Sequence, residues 1–132
     1  MRPFTIGRLA RYAHVNIETI RYYERRGLIP DPPRADNGHR QYGPPDLVRL
    51  RFIKRAQALG FTLAEIAELL SLRVTPESSC RQVKHRVETK IAAIEKKISD
   101  LKEMRTILAR LAQQCTDRGP AGQCPILDEL DR

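Results

Sequence analysis

The chain has 132 residues, 41% of them hydrophobic and 5% aromatic, with 24 Lys/Arg against 16 Asp/Glu and a formal charge of +8. That length holds one compact domain plus an extension, and so few aromatic residues imply an aliphatic core. No apolar run approaches the roughly 20 residues needed to span a bilayer, and MRPFTIGRLARYA lacks a signal-peptide core, so no membrane partner and a cytoplasmic location are expected. The basic excess is uneven: residues 1–74 hold 13 Lys/Arg against 7 Asp/Glu, and residues 75–132 hold 11 against 9. The N-terminal half is therefore the one that should face a polyanion. Three cysteines, an odd number, in a reducing compartment argue for metal or redox chemistry rather than a disulfide framework.

In chain order, Thr5 can cap a first helix over Ile6 to Ala13. His14-Val15-Asn16 makes a tight turn, and Asn16 caps a second helix from Ile17 to about Arg26, stopped by Gly27. Two short helices with so tight a turn, the second carrying Arg21, Tyr22, Tyr23, Arg25 and Arg26, make a helix-turn-helix pattern. The stretch LIPDPPRADNGHRQYGPP follows, with Asn37-Gly38 suited to a positive-φ turn. It predicts a two-stranded wing, Arg34–Ala35 against Arg40–Tyr42. A third helix opens at Pro44 or Pro45 and ends at Gly60. Thr62 and Glu65 form a capping box for a fourth, over Leu63 to Leu72.

Past a joint at Val74–Ser79, apolar residues recur in steps of three and four: Val83, Val87, Ile91, Ile94, Ile98, Leu101, Met104, Leu108 and Leu111. With no Gly or Pro between Cys80 and Cys115, this is the seam of one long amphipathic helix. Such a stripe needs a partner, most simply its copy in a homodimer, held through Val87, Ile91, Ile94, Ile98, Leu101 and Leu108. At about 1.5 Å per residue, Cys80 and Cys115 would stand on the order of 50 Å apart within one chain. An antiparallel pair would instead bring Cys80 of one chain beside Cys115 of the other. Cys124 follows Cys115 across the turn TDRGPAGQ, which suggests two three-thiolate sites per dimer. A short helix over Ile126 to Leu130 closes the chain. Fold class is thus mainly α: a winged helix-turn-helix domain (1–74), a long antiparallel coiled-coil helix (75–114) and a short loop and helix (115–132).

The segments TIGRLARYAHVNIETIRYYERRGLI, NGHRQY and FIKRAQALGFTLAEIAELL, within residues 4–72, resemble the MerR family of bacterial transcription regulators. Cys80, Cys115 and Cys124 with Pro125-Ile126-Leu127 resemble its mercury-resistance branch. The resemblance implies a regulator, both activator and repressor, that sits on palindromic promoter DNA as a dimer and acts on RNA polymerase by distorting that DNA. It implies that the three cysteines hold the effector metal. Zinc sensors of the family carry an added Cys and a His near the first loop cysteine; here Gln114 and Thr116 flank Cys115 and the loop has no His. Copper sensors lack a thiol at the position of Cys80, and the redox branch has a fourth cysteine. Lead sensors share the three-thiol layout.

Hg(II) is soft and suits three thiolates, whereas zinc generally wants four ligands. The expected effector is Hg(II), with Pb(II), Cd(II) or Zn(II) as alternatives and no organic cofactor. His85 and the turn residue Asp117 read as solvated rather than as ligands. DNA contacts are expected from Thr19, Arg21, Tyr22 and Tyr23 on the second helix, Arg40 and Tyr42 on the wing, and Lys54 or Arg55 on the third helix. Core packing is the competing reading for one of the tyrosines. No carboxylate pair, Ser-His-Asp set or phosphate-cradling Gly loop points to an enzyme. The rival from another class is a thiol-rich metal-buffering protein with an incidental basic head.

Overall fold

The computed structural model describes residues 3–132 and is mainly helical. Its elements are α1 (Ile6–Ala13), α2 (Ile17–Arg25), α3 (Pro44–Ala58), α4 (Leu63–Val74), α5 (Cys80–Gln113), a 3-10 turn (Ala121–Gln123) and α6 (Pro125–Leu130). They fall into two compact units, Met1–Lys84 and His85–Arg132.

The first unit starts its helices by local chemistry. Thr5 Oγ1 accepts from the Arg8 N–H at 3.2 Å, and Asn16 Oδ1 from the Thr19 N–H at 2.8 Å. Each thereby satisfies a backbone donor that the first helical turn leaves over. Thr62 and Glu65 form the reciprocal pair expected of them, at 2.8 and 3.2 Å. A second such pair, Ser79 with Gln82, opens α5: the Ser79 N–H reaches Gln82 Oε1 at 2.7 Å. α1 ends at His14, whose left-handed φ of 57° turns the chain into Asn16 within two residues.

Helices α1, α2, α3 and α4 bury one core, with Leu9, Ile20, Leu28, Ile29, Leu50, Ile53 and Ile66 fully enclosed. α1 packs on α2 and α3, and α3 on α4. Side chains stitch the layers at the ends of elements. The Tyr23 hydroxyl donates to Gln57 Oε1 at 2.6 Å, and Arg49 Nη1 donates to the Leu28 carbonyl at 3.1 Å. Lys54 Nζ donates to the Ala13 and His14 carbonyls at 2.9 and 3.1 Å. That ammonium sits where α1 leaves carbonyls unpaired and its dipole is negative.

The wing departs from expectation. Among the described residues no strand forms; there are two isolated antiparallel bridges, Arg34 with Arg40 and Phe4 with Tyr42. Residues 33–41 make a tight hairpin loop, with Ala35 N–H on the His39 carbonyl, Gln41 N–H on the Pro33 carbonyl and Gly38 at φ +82°. Pro30, Pro32 and Pro33 have no N–H, so this limb has few donors with which to lengthen the ladder.

α5 runs uninterrupted for 34 residues, its first five, Cys80 to Lys84, in the first unit and the rest in the second. It ends two residues before Cys115 rather than reaching it. Val87, Ile91, Ile94, Ile98, Leu101, Met104, Ile107 and Leu108 are exposed, between 38% and 62%, while Leu111 is buried. Ile107 joins the apolar stripe beyond the residues expected from sequence. No helix of the described residues is long and apolar enough to cross a membrane.

Candidate DNA-contact face and thiol sites

α2 presents two faces with different fates. Ile20 and Tyr23 turn into the core. Arg21, Tyr22, Arg25 and Arg26 are exposed, and Thr19 is half-buried. The Arg25 and Arg26 guanidinium carbons lie 5.9 and 5.8 Å from the centroid of the Tyr22 ring, which is 40% exposed. A cation that close to an aromatic face is attracted by the ring quadrupole, so the three side chains form one amphipathic, positively charged surface. Arg21 is held by Glu18 at 3.0 Å, both well exposed. In water such a pair is worth little, about 0–1 kcal/mol, and leaves Arg21 available to another anion.

Between α2 and the hairpin loop lies an open groove of about 310 Å³ lined by Arg21, Arg34, His39 and Arg40, with Thr5, Ile6 and Gly38. It joins the helix and the loop in one concave basic surface. Such a surface suits a phosphate backbone beside a helix seated in a groove of the duplex.

Three expected contacts are corrected by the structure. Tyr23 is 5% exposed and its hydroxyl is spent on Gln57. Tyr42 is fully buried, and its hydroxyl donates to both carboxylate oxygens of Glu24 at 3.2 Å. Burial pushes both phenols above their usual range, with the neighbouring Tyr22 a lesser cause for Tyr23; Arg40 partly opposes the shift at Tyr42. Neither phenol offers a surface to a nucleic acid. Lys54 is committed to the end of α1, as described. Arg55, on the same helix, is exposed. The signal for Tyr23 was present in Ile17, Ile20 and Tyr23, a three-residue spacing that marks the inner face of α2. Glu24 was not singled out from sequence. Its role depends on a partner 16 residues away, and no local pattern encodes that.

The thiols occupy both units. Cys80 is the first residue of α5 and is exposed; Cys115 and Cys124 are half-buried. All three are free. Cys115 follows α5, and the Asp117 N–H points at its sulfur, 3.4 Å away. That donor suits the negative charge a metal-bound thiolate carries. It is set by Asp117 at φ 64° and followed by Gly119 at φ 91°, two left-handed residues that reverse the chain within five positions. Cys124 precedes Pro125, and its carbonyl accepts from the Asp128 N–H at 3.2 Å, fixing it at the start of α6. Among the described residues of one chain no three His, Cys, Asp or Glu side chains come together to hold a metal.

With the fold and both sites described, comparison with known proteins places the chain. Residues 4–72 match the MerR HTH family regulatory protein domain and residues 47–111 the family's "MerR, DNA binding" region. The chain belongs to the MerR family: it is a DNA-binding transcriptional regulator of the helix-turn-helix type, not an enzyme. Within the family it is 46% identical, over 96% of each chain, to the mercuric resistance operon regulatory protein of Bacillus cereus. Its fold matches the transcription regulator PbrR691 of Ralstonia metallidurans CH34 in complex with lead(II). That match has a TM-score of 0.88 and 37% identity, over 96% of this chain and 98% of the other. The fold also matches the dual-function regulator MerR of Bacillus megaterium MB1 in complex with mercury(II). Here the TM-score is 0.77 and the identity 41%, over 98% and 100% of the two chains.

Proposed function

We propose that this protein is a metal-responsive regulator that senses Hg(II) and controls mercury-resistance genes from promoter DNA in the cytoplasm. The observation that carries the reading is the donor set. Cys80, Cys115 and Cys124 are three free thiols with no histidine beside the loop pair, and a sulfur-only set selects soft ions. The similarity to mercuric-resistance regulators supports the same choice. Two chains pair antiparallel along the exposed stripe of α5, so that Cys80 of one copy completes the site begun by Cys115 and Cys124 of the other. Residues 1–74 hold the DNA, residues 75–114 dimerise, and residues 115–132 with the other copy's Cys80 bind the metal. On the DNA side, Thr19, Arg21 and Tyr22 of α2 read the major groove while Arg40 and Arg55 hold phosphates. Metal binding favours one of two dimer states, and the difference is delivered to RNA polymerase as promoter deformation.

Lead(II) is the second reading, favoured by the TM-score of 0.88 to a lead(II)-bound regulator. Titration of the purified protein with each ion, following the sulfur-to-metal absorption in the ultraviolet, ranks them. The reading expects Hg(II) to bind tightest, one ion per three thiols. Cys80→Ser should abolish the metal response while leaving DNA binding intact. A Cys80→Ser protein that still answers Hg(II) like the parent would end the intersubunit site.

A further inference from the structure

One largely enclosed charge of the DNA-contact unit lies on the inward side of α2, away from the exposed Arg21, Tyr22 and Arg25. Glu24 is the only acid of α2 that faces inward, with its side chain 9% exposed. Its two carboxylate oxygens each accept from Arg40 Nη1 at 3.0 Å and from the Tyr42 hydroxyl at 3.2 Å. The acid therefore ties the last turn of α2 to two residues on the return limb of the hairpin loop. Tyr42 is held from its other side, where its backbone N–H donates to the Phe4 carbonyl at 2.8 Å ahead of α1. Asp31 lies 3.9 Å from Arg40 but is 77% exposed and adds little. Arg21 and Arg40 line the same groove, one on each side of this tie.

From this we propose that Glu24 is a positioning residue for sequence discrimination. It touches no base or phosphate itself. It fixes the distance between the cations of α2 and those of the hairpin loop, so that both engage only a duplex whose groove spacing matches. The loop is tied to α2 by side chains through Glu24. It carries three prolines at positions 30, 32 and 33, a single bridge between its own limbs, and no extended ladder. Its register against α2 is set by the buried carboxylate. The same carboxylate neutralises Arg40 before DNA arrives, which limits the nonspecific pull of that guanidinium on any phosphate.

The inference rests on the DNA-binding reading, and the test separates the two. A duplex selected by the parent protein from a random pool serves as specific probe, and a scrambled duplex of equal length as nonspecific probe. Selection of no sequence at all would overturn the DNA reading whatever Glu24 does. Given a selected duplex, Glu24→Gln should lower the ratio of specific to nonspecific affinity by about ten- to a hundredfold, the cost of spoiling one or more base contacts. Nonspecific binding should hold or rise, and its salt dependence should steepen by about one ion as Arg40 is released to phosphate. Glu24→Asp keeps the charge but shortens the reach, so it should lose part of the ratio without gaining salt dependence; it also serves if the glutamine variant does not fold. Equal losses on both probes would reduce Glu24 to a fold residue and overturn the proposal, as would an unchanged ratio in either folded variant.

Discussion

The four-helix head and the long helix solve the same problem in opposite ways. In the head, every large apolar side chain on the inner faces of α1 to α4 finds a partner within the unit, and Leu9, Ile20, Leu50, Ile53 and Ile66 are fully enclosed. In α5 the apolar side chains are regularly spaced too, yet Ile91, Ile94, Ile98 and Leu101 remain 38–60% exposed. The head is specified by its own residues. α5 leaves its stripe exposed because a lone helix has nothing to bury against, and in the proposed dimer the second copy covers it. If the proposed dimer holds, recognition and pairing lie on separate stretches of chain, and each can be broken alone.

The sharpest way to break the contrast is Ile94→Glu, which would place a charge in the seam of both copies at once. Association should weaken at least a hundredfold, about 3 kcal/mol or more per dimer, as read by sedimentation equilibrium. The head should keep its fold, judged by unchanged chemical shifts of the core methyls of Leu50 and Ile53. Leu50→Ala attacks the other side. Emptying a fully buried leucine should cost the head about 2–5 kcal/mol in urea unfolding without dissociating the dimer. If Leu50→Ala dissociated the dimer as readily as Ile94→Glu, the separation of roles would be wrong.

The smallest effect is one of pH. Burial raises Tyr23 and Tyr42 above the usual phenol value near 10, so the folded chain keeps protons that the unfolded chain has already released. Their contribution to stability is whole below about pH 10 and is lost as pH climbs through the folded values. Urea midpoints should therefore fall above about pH 10. Replacing both phenols with phenylalanine should remove that part of the slope, and tyrosinate absorbance should lose its late-titrating component.

Much of the head was legible because its signals are local. Thr5, Asn16 and the Thr62–Glu65 pair cap the helices they were expected to cap, and Ile6–Ala13 came out at the expected boundaries. The helix α5 and its apolar stripe were legible for the same reason, since a three-four spacing needs no knowledge of the rest of the fold. What could not be read were side-chain partners settled at long range. The spacing Ile17, Ile20, Tyr23 points Tyr23 inward, but the partner of its hydroxyl, Gln57, lies 34 positions on, where no local signal names it. Tyr42 looked like a phosphate ligand on a wing until Glu24 claimed its hydroxyl. Lys54 looked like one more surface cation until the end of α1 came within reach. For the thiols, sequence supplied the set and the loop that carries two of them.

The pairing of Phe4 with Tyr42 has a practical side. Residue 4 donates to and accepts from the main chain of residue 42, 38 positions onward, just before α3 begins. Shortening the polypeptide past that point, in making a smaller fragment or joining a tag, would strip two hydrogen bonds from the far limb of the loop. Phe4 thus marks how closely the front of the molecule can be cut before the grip on DNA begins to slacken.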